Sequence, residues 1–202
     1  MDNITIHTEH VTLNLYPQPE ANSARPVVAP LEVNVDRNAV AELVNEAVTQ
    51  AKAQATAARF SKVLADGTEV SAEDPRDTHV AVIDHHAGLM WSVESLGDPN
   101  DEDSGMSHDK CVELAREYTL LGYEDWFLPT RAQLASLVDD ARHEPAIDTN
   151  LFPRVKPRWH WTSTPCAWSS ASAWGVDFSL GRINNLHRYD LGFALAVRRV
   201  GQ

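Results

Sequence analysis

The chain is poor in cysteine, in basic residues and in long apolar runs. Two cysteines among 202 residues exclude a small domain stapled by disulfides. Lysine and arginine number 17 against 29 aspartates and glutamates, a formal net charge of −12. That balance denies a nucleic-acid backbone the basic stripe it needs and disfavours docking on anionic lipid. No stretch approaches the ~20 apolar residues of a membrane span. Met1–Thr5 offers neither a basic nor an apolar leader region, so no secretory signal is expected. The first sixty residues hold no glycine and no tryptophan. Tryptophan is a core and interface residue, so the packed domain is expected to be C-terminal.

What is present divides the chain in two. Ile4 and Ile6, then Val11, Leu13 and Leu15, alternate and predict short strands. Pro17, Pro19, Pro26 and Pro30 mark an extended connector, and Leu31, Val33 and Val35 suggest another strand. Residues 36–60 read as a helix capped by Asp36 or Asn38. Val40, Leu43, Val44, Ala47, Val48, Ala51, Ala55 and Ala58 form its narrow apolar stripe. An isolated helix of this length is marginal in water, so the stripe packs either on the C-terminal domain or on further copies of the chain. The second is favoured, since the lean segment before it supplies little cover.

Beyond the Asp66-Gly67 turn, Thr78–Ile83 and Leu89–Val93 predict a hairpin around His85–Gly88. Ser107–Leu121 predicts a helix with Gly122 as its stop, and Thr130–Asp139 a second. Short strands are expected at 159–162, 173–178, 181–184 and 194–200.

Several short motifs in fixed order carry a family resemblance. They are Gly88-Leu89-Met90-Trp91, Leu121-Gly122-Tyr123-Glu124-Asp125-Trp126-Phe127-Leu128-Pro129-Thr130, Trp161-Thr162-Ser163-Thr164-Pro165, Trp174-Gly175-Val176-Asp177-Phe178 and Val197-Arg198. From about Asp77 to Gly201 the chain resembles the Lcl C-terminal domain family, a bacterial and phage module of unknown function. The family is similar to C-type lectin-like and sulfatase-modifying-factor folds. That implies a C-type lectin-like domain (75–202); with the N-terminal region (1–70) read as strands, linker and a long oligomerisation helix at 36–60, the expected protein is α+β. Two departures stand out. Phe127 replaces a family arginine, and Ala115 and Ala196 stand where the family often carries a cysteine pair, so both halves of that disulfide are absent together.

Enzyme chemistry finds little footing. The sulfatase-modifying activity of the resembled fold needs two cysteines in one site, and only Cys166 lies in the matching region. A dyad of Cys166 with His160 or His187 needs an exposed, electropositive setting, and Cys111 and Cys166 read as small hydrophobes. No catalytic residue, cofactor or metal is assigned. Asp98–Asp103 lacks the spacing of a calcium loop, Glu144-Pro145-Ala146 is an incomplete lectin motif, and His7, His10, His85 and His86 read as surface residues.

The candidate recognition residues are Trp168, Ser169, Ser170, Ser172, Arg182, Asn184, Asn185, His187, Arg188 and Tyr189. Tryptophan, tyrosine, serine, asparagine and arginine give amphipathic area with adaptable hydrogen bonds. Trp168, His187, Arg188 and Tyr189 are the preferred anchors, whereas Trp91, Trp126, Trp161 and Trp174 are assigned to the core. The expected protein is a non-enzymatic, homotrimeric phage tail or fibre protein, assembled in the host cytoplasm and resident in the virion. Residues 36–60 would join its copies, 1–35 would meet other virion proteins, and 166–190 would meet a host glycan or protein. A bacterial adhesion or effector module at the cell surface is the alternative, and a sulfatase-modifying-type enzyme the second.

Overall fold

The computed structural model describes residues 4–6, 11–13 and 37–201. The proline-rich stretch 17–30, the strand expected at 31–35, His7 and His10 lie outside the described residues. The chain divides into two compact units, 1–54 and 55–202.

In the first unit β1 (Ile4–Ile6) and β2 (Val11–Leu13) pair antiparallel. Helix α1 covers Arg37–Arg59. Its apolar stripe faces solvent: Val40 is 38% exposed, Leu43 66%, Val44 55% and Val48 49%.

The second unit is mixed α+β with two antiparallel sheets. The first joins β3 (Phe60–Val63), β4 (Glu69–Ser71), β5 (Ala81–Asp84), β6 (Leu89–Ser92) and, after the other elements, β10 (Val197–Arg199), in the order β10-β6-β5-β3-β4. Sequence reading missed β3 and β4, which flank the expected Asp66-Gly67 turn. The expected boundary near 70–75 therefore moves back, because β3 pairs with β5 in the middle of the sheet. For β3 the cause is burial on both faces, which erases the alternation of a half-exposed strand, whereas β4 is only three residues long and largely exposed. Val82 and Trp91 pair across one face and pack with Phe60, Leu134, Val176 and Phe178, while Ile83 and Met90 pair across the other and pack with Cys111, Ala115, Trp126, Trp161 and Ala196. Ala115 and Ala196, both fully buried, share that second cluster, at the two positions where the family resemblance leads one to expect a disulfide.

Helix α2 (His108–Glu117) turns Cys111 and Ala115 into this cluster. It stops earlier than the apolar spacing suggested. Tyr118 is extended (φ −64°, ψ 133°) and packs edge-to-face on Trp126. Leu121 and Gly122 both adopt positive φ in the turn that follows, which no helix continues through. Helix α3 is likewise short, Arg131–Ala135. Its Thr130 cap is as expected, and Gln133 closes a reciprocal capping box with it.

The second sheet is β7 (Trp159–Pro165), β8 (Ser172–Asp177) and β9 (Arg182–His187), in that order. Its inner side gives Trp161, Ala173 and Leu186 to one cluster, and its end gives Val176 and Phe178 to the other. Gly181 turns β8 into β9 at φ +70°, where a Cβ would lie 2.8 Å from a Val138 methyl.

Among the described residues the buried side-chain polar atoms are paired, except His79 Nδ1 and the Trp91 indole N–H. Asp84, with no exposure, takes two hydrogen bonds from Arg59, at 2.6 and 3.0 Å, and also accepts from the His86 and Ala87 backbone N–H. Lys62 Nζ donates to the Asp74 carbonyl at 2.7 Å. His160, fully buried, donates from Nδ1 to the Arg158 carbonyl and accepts at Nε2 from the Ser95 hydroxyl, which itself accepts from the Lys156 N–H. Burial holds the His160 imidazole down at about 4.

Candidate functional site

The outer face of the β7-β8-β9 sheet follows from the pleat. Trp174 stands opposite Asn185 and Ser172 opposite His187 on this face, whereas Val176, next along the same side and opposite Ile183, is fully buried in the first core cluster. Arg182, Asn184 and Leu186 alternate to the other, so two of the expected site residues, Arg182 and Asn184, are not brought together with Trp174 and Asn185.

Trp174 corrects a sequence expectation. Trp91, Trp126 and Trp161 are buried in the core, but Trp174 is only half-buried and belongs to neither core cluster. It carries the face instead. The Arg131 guanidinium lies 4.4 Å over its ring. Trp168 meets it edge-to-face at 5.7 Å and 88°, a favoured geometry for aromatic pairs. Trp168 remains 69% exposed. Arg131 is steadied by its backbone N–H, which donates to Thr164 Oγ1 at 2.9 Å. Neither Arg131 nor Trp174 was singled out for the site from sequence. The signal that could have found Trp174 is its parity with Ser172 on a strand whose alternate residues, Ala173 and Gly175, are small.

The loop that presents Trp168 is tightly tied. The Ser169 N–H donates to the Cys166 carbonyl and the Ser172 N–H to the Ser169 carbonyl, and the Ser169 and Ser172 hydroxyls lie 3.1 Å apart. Cys166 is buried beneath, with Asn185 Nδ2 3.7 Å from its Sγ. Cys111 stands on α2, where burial pushes its thiol up to about 12, far from the thiolate that catalysis needs.

The chain leaving β9 meets that loop at its base, where the Arg188 N–H donates to the Ala171 carbonyl. Arg188 is not a free anchor: its guanidinium pairs with Asp109 at the start of α2, and this pairing holds the Asp109 carboxyl below its ordinary range, with His108 adding to it. His108 in turn is 3.0 Å from the Thr162 carbonyl and edge-on to Trp161. Tyr189 is 82% exposed and lies against His187, ring centroids 5.1 Å apart. The Asp190 carboxylate accepts from the His187 N–H. Ser170 is exposed on the loop tip.

Elsewhere, Asp98–Asp103 folds on itself: Asp98 accepts from Asn100, Asp101 from the Asp103 N–H, and Lys156 pairs with Asp103. Among the described residues no cluster of three histidine, cysteine or acidic side chains could hold a metal, and no helix is long and apolar enough to cross a membrane.

A mixed α+β domain with two core clusters and a braced, aromatic outer sheet face defines the class: a compact module with exposed rings on a rigid support. Residues 80–199, more than half of the chain, match the Lcl C-terminal domain, and the protein belongs to that family. No curated protein gives a significant match to the chain.

Proposed function

We propose that the protein is a non-enzymatic recognition protein of a phage tail or fibre. In this reading α1 gathers three copies, residues 1–35 meet other virion proteins, and the outer face of β7–β9 with its two loops meets the host surface. The domain is taken as C-type lectin-like, on the strength of its two antiparallel sheets, short helices and long irregular connections. The observation that carries the reading is the pairing of two exposed apolar features on one chain: Trp168 and Tyr189 at one end of a braced sheet, and the bare stripe of α1. Single exposed apolar residues are ordinary, but a helix-long stripe and two large rings held out on ordered loops mark surfaces made to be covered. A thiol enzyme is disfavoured by the burial of both cysteines. A cell-surface adhesion module would use the same face and differs only in what carries it.

The mass of the full chain in solution tests the assembly. Wild type is expected at three times its 22.4 kDa. Val44→Glu with Val48→Glu, which places charge in the stripe, is expected to give a folded monomer. A wild-type chain that is monomeric at micromolar concentration overturns the trimer.

A further inference from the structure

Resting on the reading of this face as a recognition surface, we propose that its ligand is a neutral saccharide stacked on Trp168 and hydrogen-bonded by the groups beside Trp174. A pyranose has one flat apolar C–H face and a rim of hydroxyls, and it needs a rigid ring next to neutral donors and acceptors. Both are here. Trp168 is held perpendicular to Trp174, and Trp174 is fixed from another side by Arg131. Asn185 turns its amide nitrogen to Cys166 Sγ, which leaves its oxygen as an acceptor. Ser172 and the Arg131 N–H edges complete the rim.

The charges select against an acidic ligand. Of the two arginines at this face, Arg188 is already taken by Asp109, and Arg131 alone is no cluster for sulfate or carboxylate. The chain's net charge of −12 repels a polyanion at long range. An extended peptide is disfavoured as well, because adding a strand to β9 needs its outward N–H groups. Those of Asn185 and His187 are already occupied by the Asn184 and Asp190 side chains, at 2.9 Å each.

The test uses the full chain on an array of immobilised neutral, uronate-containing and sulfated oligosaccharides, followed by tryptophan-fluorescence titration with the neutral members that bind. Binding to neutral members is expected, changed less than about two-fold between low and high salt because no ion pair is screened. Trp168→Ala is expected to weaken it at least about ten-fold, the loss of one stacking platform, and Arg131→Lys by a smaller factor. Binding confined to uronate or sulfated members, or to none, overturns the neutral class. If such anionic binding still falls with Trp168→Ala, the recognition face stands and only the ligand class is lost. Neutral binding unchanged by Trp168→Ala removes the site itself.

Discussion

Trp161 and Trp168 flank the end of one strand, yet the first is fully buried and the second 69% exposed. Trp161 donates its indole N–H to the Met106 carbonyl, lies against His108 and stands 2.8 Å from where a Cβ on Gly192 would be. Trp168 makes one aromatic contact and faces solvent. The difference separates two settings on one stretch of chain: Trp161 lies in the strand's inner register and belongs to the core, whereas Trp168, on the 166–171 loop just beyond Pro165, belongs to neither core cluster. The same composition serves both, so the two roles separate only by measurement.

The largest effect belongs to the inner partner. Trp161→Ala removes a wholly buried ring from the cluster around Ala194 and Ala196 and is expected to cost about 3–5 kcal/mol. Denaturant unfolding checks it. A loss below about 1 kcal/mol would mean that the second cluster closes without Trp161, and the contrast with Trp168 would collapse.

Next comes acid. His160 sits beside Trp161 in β7, neutral in the fold and lowered to about 4 by burial. Free imidazole titrates near 6.5. Between those values the unfolded chain binds a proton that the folded chain refuses, so stability is whole above pH ~6.5 and falls as pH drops toward 4. The loss over that window is on the order of 3 kcal/mol. His79, buried with Nε2 against the Leu151 carbonyl and also lowered by burial, acts in the same direction. Urea melts at pH 7, 5.5 and 4.5 test this. His160→Gln should flatten the dependence, and a wild-type curve already flat there would remove His160 as its source.

Much of the framework was legible in the sequence. The hairpin around His85–Gly88, the Thr130 cap and the family motifs all come from local signals: a turn, a capping hydroxyl, an ordered set of short matches. β3 was not legible because Phe60–Val63 is buried on both sides and shows no alternation, and β4 was not because its three largely exposed residues lie in an acidic stretch that reads as loop. The helix ends were overestimated because apolar spacing persists past α2 into Leu120 and Leu121, where backbone conformation and not composition sets the stop. At the candidate site, residue types pointed to Trp168 and Tyr189, but the brace did not show. Arg188 pairs with Asp109 across 79 positions, and Arg131 reaches Trp174 from another element. Long-range pairings of that kind leave no periodicity to read.

The smallest expected effect is the sharpest for the comparison. Trp168→Ala removes a ring that fills no core volume, so it is expected to change stability by less than about 0.5 kcal/mol. Trp174→Ala should cost more, since both Arg131 and Trp168 lose the surface they rest on. Thermal melts of the two variants side by side decide the matter. A Trp168→Ala melting point lowered as far as that of Trp174→Ala would make the 166–171 loop a cap on the domain. Its exposed ring would then be an incidental edge of the core, and the recognition face would have to be sought at Tyr189 alone.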